Sequence, residues 1–274
     1  MATPSPPSVS LEQLFWEDVA PSLHEGHLAV SPELFDRCKL VIMTEEEFAA
    51  VESTLKQVAA SIPPMFGSYK PEEFEVRGAR RMMQHFRRFL APVADIFMGE
   101  TLGSVSEVTT FLDVFEDCAA DLWVSVTLED RDTVAGAPRL RSGEPLSELL
   151  LSIEGMRFDA LLFNCSQPEV MNDAVALSRS ELEAFSRQHG AARPMIGVYA
   201  NAFPLIDDEY EGSNSSVHQL REDITPEAYL RYAESWAQSG ADIIGGCCGI
   251  TPEHIRVLAE ALKSPPPVAL PDYA

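Results

Sequence analysis

The sequence contains few basic residues and no long apolar stretch. Its 274 residues include 20 Lys and Arg against 43 Asp and Glu, which gives a formal net charge of −23. Because proteins that bind nucleic acids need basic patches to neutralise phosphates, this charge argues against a nucleic-acid partner. No apolar run reaches the roughly 18 residues of a membrane-spanning helix, so no membrane segment is predicted.

Signals of export and of disulfide formation are also lacking. Residues 1–7 have neither a basic segment nor an apolar core, so they do not resemble a secretory signal. The five cysteines are an odd number, and three of them are better explained as metal ligands than as disulfide partners. Cys38 and Cys118 are interpreted as ordinary buried or half-buried thiols. These features favour a reducing, cytoplasmic location.

Two adjacent cysteines follow a short apolar strand near the end of the chain. Ile243–Ile244 is β-branched, as expected of a buried strand, and Gly245–Gly246 permits a sharp turn or a close approach to a ligand. Cys247 and Cys248 come next, before Thr251–Pro252, a typical N-cap and first position of a helix. The pattern predicts two thiols at the carboxyl end of a strand, where parallel α/β proteins place their chemistry.

A second apolar run, Phe158–Asn164, also leads to a cysteine, Cys165. In a (β/α)8 barrel both strand ends face one central mouth, so Cys165 is the candidate third ligand beside Cys247 and Cys248. Three thiolates with one open position are typical of a catalytic zinc (Zn2+) site. Two alternatives stay open, namely three unconnected buried thiols and a closed structural zinc site.

These motifs resemble those of a known family. Asn164–Cys165 and Gly245–Gly249, with Thr251–His254 following, resemble the zinc-binding motifs of the homocysteine S-methyltransferase family. That family includes betaine-, S-methylmethionine- and methylfolate-dependent enzymes. Asp95–Thr101 and Trp123–Thr127 resemble two further strands of the family. The resemblance extends from about residue 62 to about residue 262, and it implies zinc-dependent methyl transfer to the thiol of homocysteine, which forms methionine.

The resemblance also implies residues that bind the substrate. Glu100 ends a predicted strand and resembles the family carboxylate that pairs with the acceptor's ammonium group; helix capping is the alternative. For Asn164 three roles stay open: to orient Cys165, to hydrogen-bond the substrate, or only to form a turn. Tyr199 and Asn201 resemble the family's Tyr-Pro-Asn segment, with Ala200 in place of the proline. They either shape the pocket or pack in the core.

The alternation of predicted strands and helices indicates an α/β fold. The expected domain is a (β/α)8 TIM barrel over residues 25–264, between an N-terminal tail with a possible capping helix (1–24) and a C-terminal tail (265–274). Strands are predicted at 27–30, 39–43, 94–100, 122–128, 158–165, 194–199 and 243–244, and residues 63–69 are predicted to form a further strand together with its loop. Helices are predicted at 44–60, 72–90, 145–153, 168–189 and 226–239, and others start near residues 104 and 251. The family's Asp-Gly-Gly-like first strand is absent, so the first strand-helix unit is divergent.

The sequence does not specify the methyl donor. A chain of this size has no room for cobalamin and folate modules, which favours a small onium donor such as S-methylmethionine or S-adenosylmethionine. The acidic charge is either a solvated surface or an acidic mouth that attracts such a cation. Alternative functions are methyl transfer to another thiol, transfer from a partner that carries the methyl group, and a non-catalytic zinc-binding barrel that acts as a partner-binding subunit.

Five arginines between residues 77 and 88 stand out in this acidic chain. A salt-bridged, solvent-exposed helix face is the simplest interpretation of such a run. The functional alternative is a contact for an anionic donor tail or for a partner protein.

Overall fold

The computed structural model describes residues 58–205 and 220–262. Within these residues the chain alternates between strands and helices. The strands are β1 (Ala59–Ile62), β2 (Ile96–Leu102), β3 (Asp121–Val126), β4 (Ala160–Asn164), β5 (Met195–Tyr199) and β6 (Ile243–Ile244). The helices are α1 (Val76–Leu90), α2 (Val105–Phe115), α3 (Leu146–Ser152), α4 (Met171–His189), α5 (Pro226–Ser239) and α6 (Pro252–Leu262). Short 3₁₀ turns at Pro71–Glu73 and Pro168–Val170 precede α1 and α4.

The six strands form one parallel sheet whose spatial order, β1-β2-β3-β4-β5-β6, is the order of the chain. Each connection therefore moves the chain one strand further in the same direction. An open doubly wound sheet reverses this order at a switch point, and the described strands contain no such reversal. The predicted α/β fold with a parallel sheet is confirmed. The strands predicted at 27–30 and 39–43 lie outside the described residues.

Residues 63–69 were predicted as a strand with its loop; the loop is confirmed, but the strand lies earlier in the chain. β1 is Ala59–Ile62, and Pro63–Pro64 ends it because proline has no N–H to give to a neighbouring strand. Residues 63–69 form the loop after β1, in which Phe66 and Tyr69 adopt positive φ angles of 78° and 64°. This loop therefore leaves the carboxyl edge of the sheet, where it can contact the ends of other strands.

The helix predicted at 44–60 is wrong at its end, because residues 59 and 60 belong to β1. α1 begins at Val76 instead of at residue 72, where the sequence predicted its start. The Glu75 carboxylate sets this boundary, since it accepts hydrogen bonds from the backbone N–H groups of Arg77 (2.8 Å) and Gly78 (2.6 Å). A side chain that satisfies the first free N–H groups is the usual start of a helix.

The arginines of α1 are only partly used in ion pairs. Arg80 pairs with Asp113, and Arg87 pairs with Asp117 at 2.7 Å and donates to the Val114 carbonyl at 2.8 Å. Both pairs join α1 to α2 or to the turn that follows α2. Three other arginines are exposed and have no carboxylate partner among the described residues: Arg77, Arg81 and Arg88. The predicted salt-bridged face is thus confirmed for two of five side chains.

Three aspartates join strands in pairs at the amino edge of the sheet. Each one directly precedes a strand. Its carboxylate accepts a hydrogen bond from a backbone N–H at the start of the neighbouring strand that comes earlier in the chain. The contacts are Val58 N to Asp95 (2.7 Å), Leu122 N to Asp159 (2.8 Å) and Ile196 N to Asp242 (2.8 Å). Hydrogen bonds to a carboxylate are stronger than those between neutral groups. Asp95, Asp159 and Asp242, here called the aspartate clamps, therefore stabilise the pairs β1/β2, β3/β4 and β5/β6.

Buried aromatic side chains fill the space between the sheet and the helices. Phe115 of α2 packs against Phe97 of β2 and Phe111, with ring centroids 4.6 and 4.9 Å apart. Later in the chain, Tyr229 and Trp236 of α5 are fully buried and form an edge-to-face pair, with ring centroids 5.4 Å apart. Among residues 58–205 and 220–262, no helix combines the length and the apolar character needed to cross a membrane.

Candidate metal centre

Three cysteine sulfurs meet at the carboxyl edge of the sheet. Cys165 directly follows β4, and Cys247 and Cys248 follow β6 after two glycines. The three Sγ atoms all lie within 4.8 Å of one another, and those of Cys247 and Cys248 are 3.8 Å apart. Cys165 is buried, whereas Cys248 is exposed. The sequence prediction that these two strand ends bring three thiols together is therefore confirmed.

The spacing of the Cys247 and Cys248 sulfurs fits a tetrahedral metal site. With zinc–sulfur bonds of about 2.3 Å, two ligands of a tetrahedron lie about 3.8 Å apart. The Cys247 to Cys248 distance has this value. No further His, Cys, Asp or Glu joins the group among the described residues, so three ligands leave one position for a substrate atom. The residues present thus fit zinc with an open position.

Cys165 Sγ lies in direct contact with Cys247 Sγ, and their Cα atoms are 5.8 Å apart, a separation that also permits a disulfide between them. Metal binding requires thiolates, so the disulfide and a three-cysteine zinc site are mutually exclusive uses of the same sulfurs. Cys118, predicted as an ordinary thiol, is free and half-buried.

Irregular backbone pairing holds the cysteine-bearing turns in place. The Cys165 N–H donates to the Tyr199 carbonyl at 3.3 Å, and the Cys247 N–H donates to the Ala200 carbonyl at 2.9 Å. The Ala202 N–H in turn donates to the Cys248 carbonyl at 2.8 Å. The pairing of β4, β5 and β6 therefore continues past the regular strands and fixes the backbone that carries all three thiols.

Gly246 is required by packing. A Cβ at this position would lie 2.6 Å from Ile250 Cβ, which is closer than two carbon atoms can approach without displacement. At Gly245 a Cβ would meet only Tyr199 Cβ, at an ordinary 3.6 Å. Gly246 therefore permits a tight turn against Ile250, while a close approach to a ligand stays a prediction.

The Glu100 carboxylate of β2 lies beside the thiols. Its Oε1 accepts a hydrogen bond from the Tyr199 hydroxyl at 3.1 Å, and its Oε2 accepts one from the Ser61 hydroxyl at 2.5 Å. Burial and then the negative charge of Glu100 raise the pKa of the Cys248 thiol. Burial and then Glu100 also raise the pKa of Tyr199, so the phenol stays protonated and donates. Glu100 is thus an anionic group within the electrostatic reach of the cysteine group.

The two predicted asparagines are buried, and their oxygens accept different hydrogen bonds. Asn164 Oδ1 accepts from the Ser125 hydroxyl at 2.9 Å, and its Nδ2 donates to Thr101 Oγ1 at 2.8 Å. Asn201 Oδ1 accepts from the Phe203 N–H at 3.2 Å, which is a local turn of the backbone. Asn164 is therefore linked to β2 and β3, whereas the bond found for Asn201 stays within its own loop.

Other side chains that support the centre gave no signal in the sequence. The Tyr69 hydroxyl, in the loop after β1, donates to the Cys165 carbonyl at 3.4 Å. The Arg141 guanidinium lies over the Tyr69 ring, 5.5 Å from its centroid, and pairs with Asp130. Ser125 was missed because it is a single polar residue within an apolar strand. A buried hydroxyl among apolar neighbours indicates a hydrogen-bonded partner, although it does not say which one.

The fold and the site define a class: a parallel α/β protein with a candidate three-cysteine metal centre at the carboxyl edge of its sheet. Residues 29–262 match the family model described as homocysteine S-methyltransferase, and the chain belongs to that family. The match begins at residue 29, well before residue 62, where the sequence resemblance was placed.

Individual relatives are distant. The chain is 26% identical over 176 residues to a selenocysteine methyltransferase of Astragalus bisulcatus, which covers 62% of this chain and 45% of the relative. It is 28% identical over 212 residues to the homocysteine S-methyltransferase of Escherichia coli (strain K12), with coverages of 73% and 61%. The chain thus spans only about half to three-fifths of the length of these curated relatives.

The fold is similar to that of a solved methyltransferase. The oxidized and the metallated form of the homocysteine methyltransferase MmuM from Escherichia coli each match with a TM-score of 0.52. Sequence identities are 24% and 23%, and the matches cover 78% of this chain and 66% of the MmuM chain. At this identity the likeness concerns the fold alone.

Proposed function

We propose that this chain is a zinc-dependent S-methyltransferase that transfers a methyl group to the thiol of homocysteine and so forms methionine. The observation that carries the proposal is the meeting of three cysteine sulfurs, within 4.8 Å of one another, at one edge of a parallel sheet. Family membership supports the reaction class, and the neighbouring Glu100 supports an acceptor that carries an ammonium group.

In this proposal the three cysteines form a metal site, and Glu100 with Tyr199 forms a site for the amino group of the acceptor. Cys165, Cys247 and Cys248 would hold zinc, which when bound lets the acceptor sulfur react as a thiolate at neutral pH. Glu100 binds the ammonium group of the acceptor as an anionic hydrogen-bond acceptor. Before the acceptor binds, Tyr199, kept neutral by its raised pKa, donates to Glu100 and holds its orientation. Together these groups position the acceptor sulfur and its amino group.

The transfer itself is a displacement at carbon. The acceptor sulfur forms a bond to the methyl carbon while the bond between that carbon and the donor's onium sulfur breaks, and its electron pair stays on the donor sulfur. The donor becomes a neutral thioether, and the acceptor becomes methionine. A small onium donor such as S-methylmethionine or S-adenosylmethionine fits this step, and the net charge of −23 favours the approach of a cation.

The finer fold and domain assignments are part of the proposal. A closed (β/α)8 barrel over residues 25–264, with tails at 1–24 and 265–274, remains the prediction from the sequence. The uninterrupted strand order β1 to β6 supports it, because every described connection advances in the direction that a barrel requires.

A second candidate acceptor is a selenol. The 26% identical relative from Astragalus bisulcatus is a selenocysteine methyltransferase, and selenocysteine, like homocysteine, carries an amino group that Glu100 can bind. Transfer from a methyl-carrying partner, and a zinc-binding subunit without activity, are the further alternatives.

The test begins with metal content. We expect reduced, chelator-free wild-type protein to hold one zinc ion per chain, and Cys247→Ser to lose it, while the control Cys118→Ser keeps it. Methionine formation is then measured with homocysteine and a panel of onium donors, with selenocysteine as a second acceptor. Zinc without product from any pair would contradict the enzymatic proposal, and absence of zinc from reduced wild type would contradict the metal site.

A further inference from the structure

A series of hydrogen bonds, here called the circuit, connects Glu100 to Asn164, the residue before Cys165. The Tyr199 hydroxyl lies 3.1 Å from Glu100 Oε1 and 2.6 Å from Ser125 Oγ. Ser125 Oγ is 2.9 Å from Asn164 Oδ1, and Asn164 Nδ2 is 2.8 Å from Thr101 Oγ1. The circuit thus leaves β2 at Glu100, crosses β5, β3 and β4, and returns to β2 one residue further on.

Three pairs of oxygens are in contact between Glu100 and Asn164, but only the Tyr199 and Ser125 hydroxyls carry protons to place between them. The Tyr199 hydroxyl has one proton for two oxygen acceptors, Glu100 and Ser125, besides the weak acceptor Met98 Sδ at 3.8 Å, and Ser125 likewise has one proton. Asn164 and Ser125 are fully buried, so water does not replace a missing partner. The position of one proton therefore determines the direction of the following hydrogen bonds.

Two proton orders satisfy these atoms. In the first, Tyr199 donates to Ser125, Ser125 donates to Asn164 Oδ1, and Nδ2 donates to Thr101. In the second, Tyr199 donates to Glu100, Ser125 donates to Tyr199, and the Asn164 amide is turned over so that Nδ2 faces Ser125 and Thr101 donates to Oδ1. The heavy atoms occupy nearly the same positions in both orders, because amide oxygen and nitrogen are interchangeable in shape.

We propose that Ser125 is a positioning residue that links the acceptor's ammonium group at Glu100 to the orientation of the Asn164 amide. The proposal rests on the proposed function, since it requires an acceptor with an amino group. An ammonium ion brings three N–H donors and a positive charge to Glu100. The ammonium group donates to Oε1 in place of the Tyr199 hydroxyl. Tyr199 then donates to Ser125, and the circuit adopts the first of the two proton orders.

The consequence reaches the cysteine through the backbone. Asn164 directly precedes Cys165, whose φ is +48°, and its amide holds Thr101, whose φ is +63°. Both residues occupy the left-handed region, which costs energy for residues other than glycine and is kept only where neighbouring contacts enforce it. The Asn164 amide is one such contact, so its orientation sets the support of Cys165 when the acceptor binds.

The experiment compares two acceptors that differ only in the amino group: homocysteine and 4-mercaptobutyrate. Binding to reduced, zinc-loaded, full-length protein is measured by titration calorimetry without a methyl donor. We expect Ser125→Ala to weaken homocysteine binding about fivefold to tenfold, the usual worth of one hydrogen bond, and to leave 4-mercaptobutyrate binding unchanged. The control is Ser178→Ala, because Ser178 is also fully buried but its hydroxyl has no hydrogen-bond partner within the described residues.

Tyr199→Phe provides an independent second variant, and the double variant tests the circuit. Each single variant breaks the same link, so the double variant is expected to bind homocysteine no more weakly than the weaker single variant. An equal loss for both acceptors, additive losses in the double variant, or wild-type affinity in Ser125→Ala would overturn the positioning role. Wild-type protein that holds zinc and binds neither acceptor would instead overturn the proposed function and this inference with it.

Discussion

Arg141 and Asp130 form a bidentate ion pair directly behind the loop that contacts Cys165. The two N–O distances are 2.6 and 3.1 Å, and the side chains are only 10% and 2% exposed. Arg141 also lies over the ring of Tyr69, whose hydroxyl reaches the Cys165 carbonyl. The pair thereby fixes the loop after β1 against the metal centre.

Removal of one partner is expected to destabilise the fold strongly. Asp130→Ala leaves the Arg141 cation buried without a counter-charge, which costs on the order of 3 to 5 kcal/mol of unfolding free energy. Urea denaturation of the reduced protein measures the loss. The exposed pair of Arg256 and Glu253 supplies the control, since Glu253→Ala should change the midpoint little. Equal effects of the two variants would contradict the argument.

Glu107 makes stability depend on pH. It lies in the first turn of α2 and accepts from the Gly103 N–H at 2.6 Å, and burial raises its pKa from 4.5 to about 7. Because the folded pKa lies above the unfolded value, the contribution of this carboxyl is full below about pH 4.5 and is lost as the pH rises through 7.

Glu107→Gln removes that titration. The stability of the variant relative to wild type is expected to rise between pH 4.5 and 7.5, by up to about 3 kcal/mol at the 1.36 kcal/mol of each pKa unit. Chemical denaturation at several pH values measures the difference. The exposed Glu154→Gln is the control and should follow the wild-type profile. A constant difference between Glu107→Gln and wild type across this range would refute the prediction.

Gly246→Ala is expected to lower zinc affinity, because the added Cβ displaces Ile250 and with it the turn that carries Cys247 and Cys248. Gly245→Ala, which meets only an ordinary contact, serves as the matched control. Competition with a chromophoric chelator measures the affinities. The double variant Gly246→Ala with Ile250→Ala should recover part of the loss, and no recovery would point away from this contact.

Zinc uptake is expected to be blocked when oxidation joins Cys165 and Cys247, whose sulfurs are in direct contact, in a disulfide. Oxidised protein should bind less than one zinc ion per chain, and reduction should release two more titratable thiols together with full zinc binding. Thiol titration and metal analysis on the same samples measure both quantities. Full zinc binding by protein that keeps the disulfide would show that the metal lies elsewhere.

The elements that could be predicted are those with local signals. Apolar runs located β2 to β6 within a few residues, and the position of cysteines at the ends of two such runs located the candidate metal centre. The Gly245–Gly246 turn carried its own signal, since glycines before a ligand-bearing segment indicate a close approach.

The elements that could not be predicted depend on contacts between distant parts of the chain. Ser61 and Ser125 are isolated hydroxyls in strands, and only the register of the sheet brings them to Glu100 and Tyr199. The sequence pattern likewise places a strand after Ile62, whereas β1 ends there.

The three aspartate clamps lie at the amino edge of the sheet, and the thiols lie at the carboxyl edge. The groups that fasten the strands and the groups assigned to chemistry are therefore separate sets of residues. Substitutions can therefore change the residues at the carboxyl edge, and with them the acceptor or donor, while the aspartates at the amino edge still hold the strand pairs together. A chain with about one residue in four in common with its relatives can in this way retain their architecture.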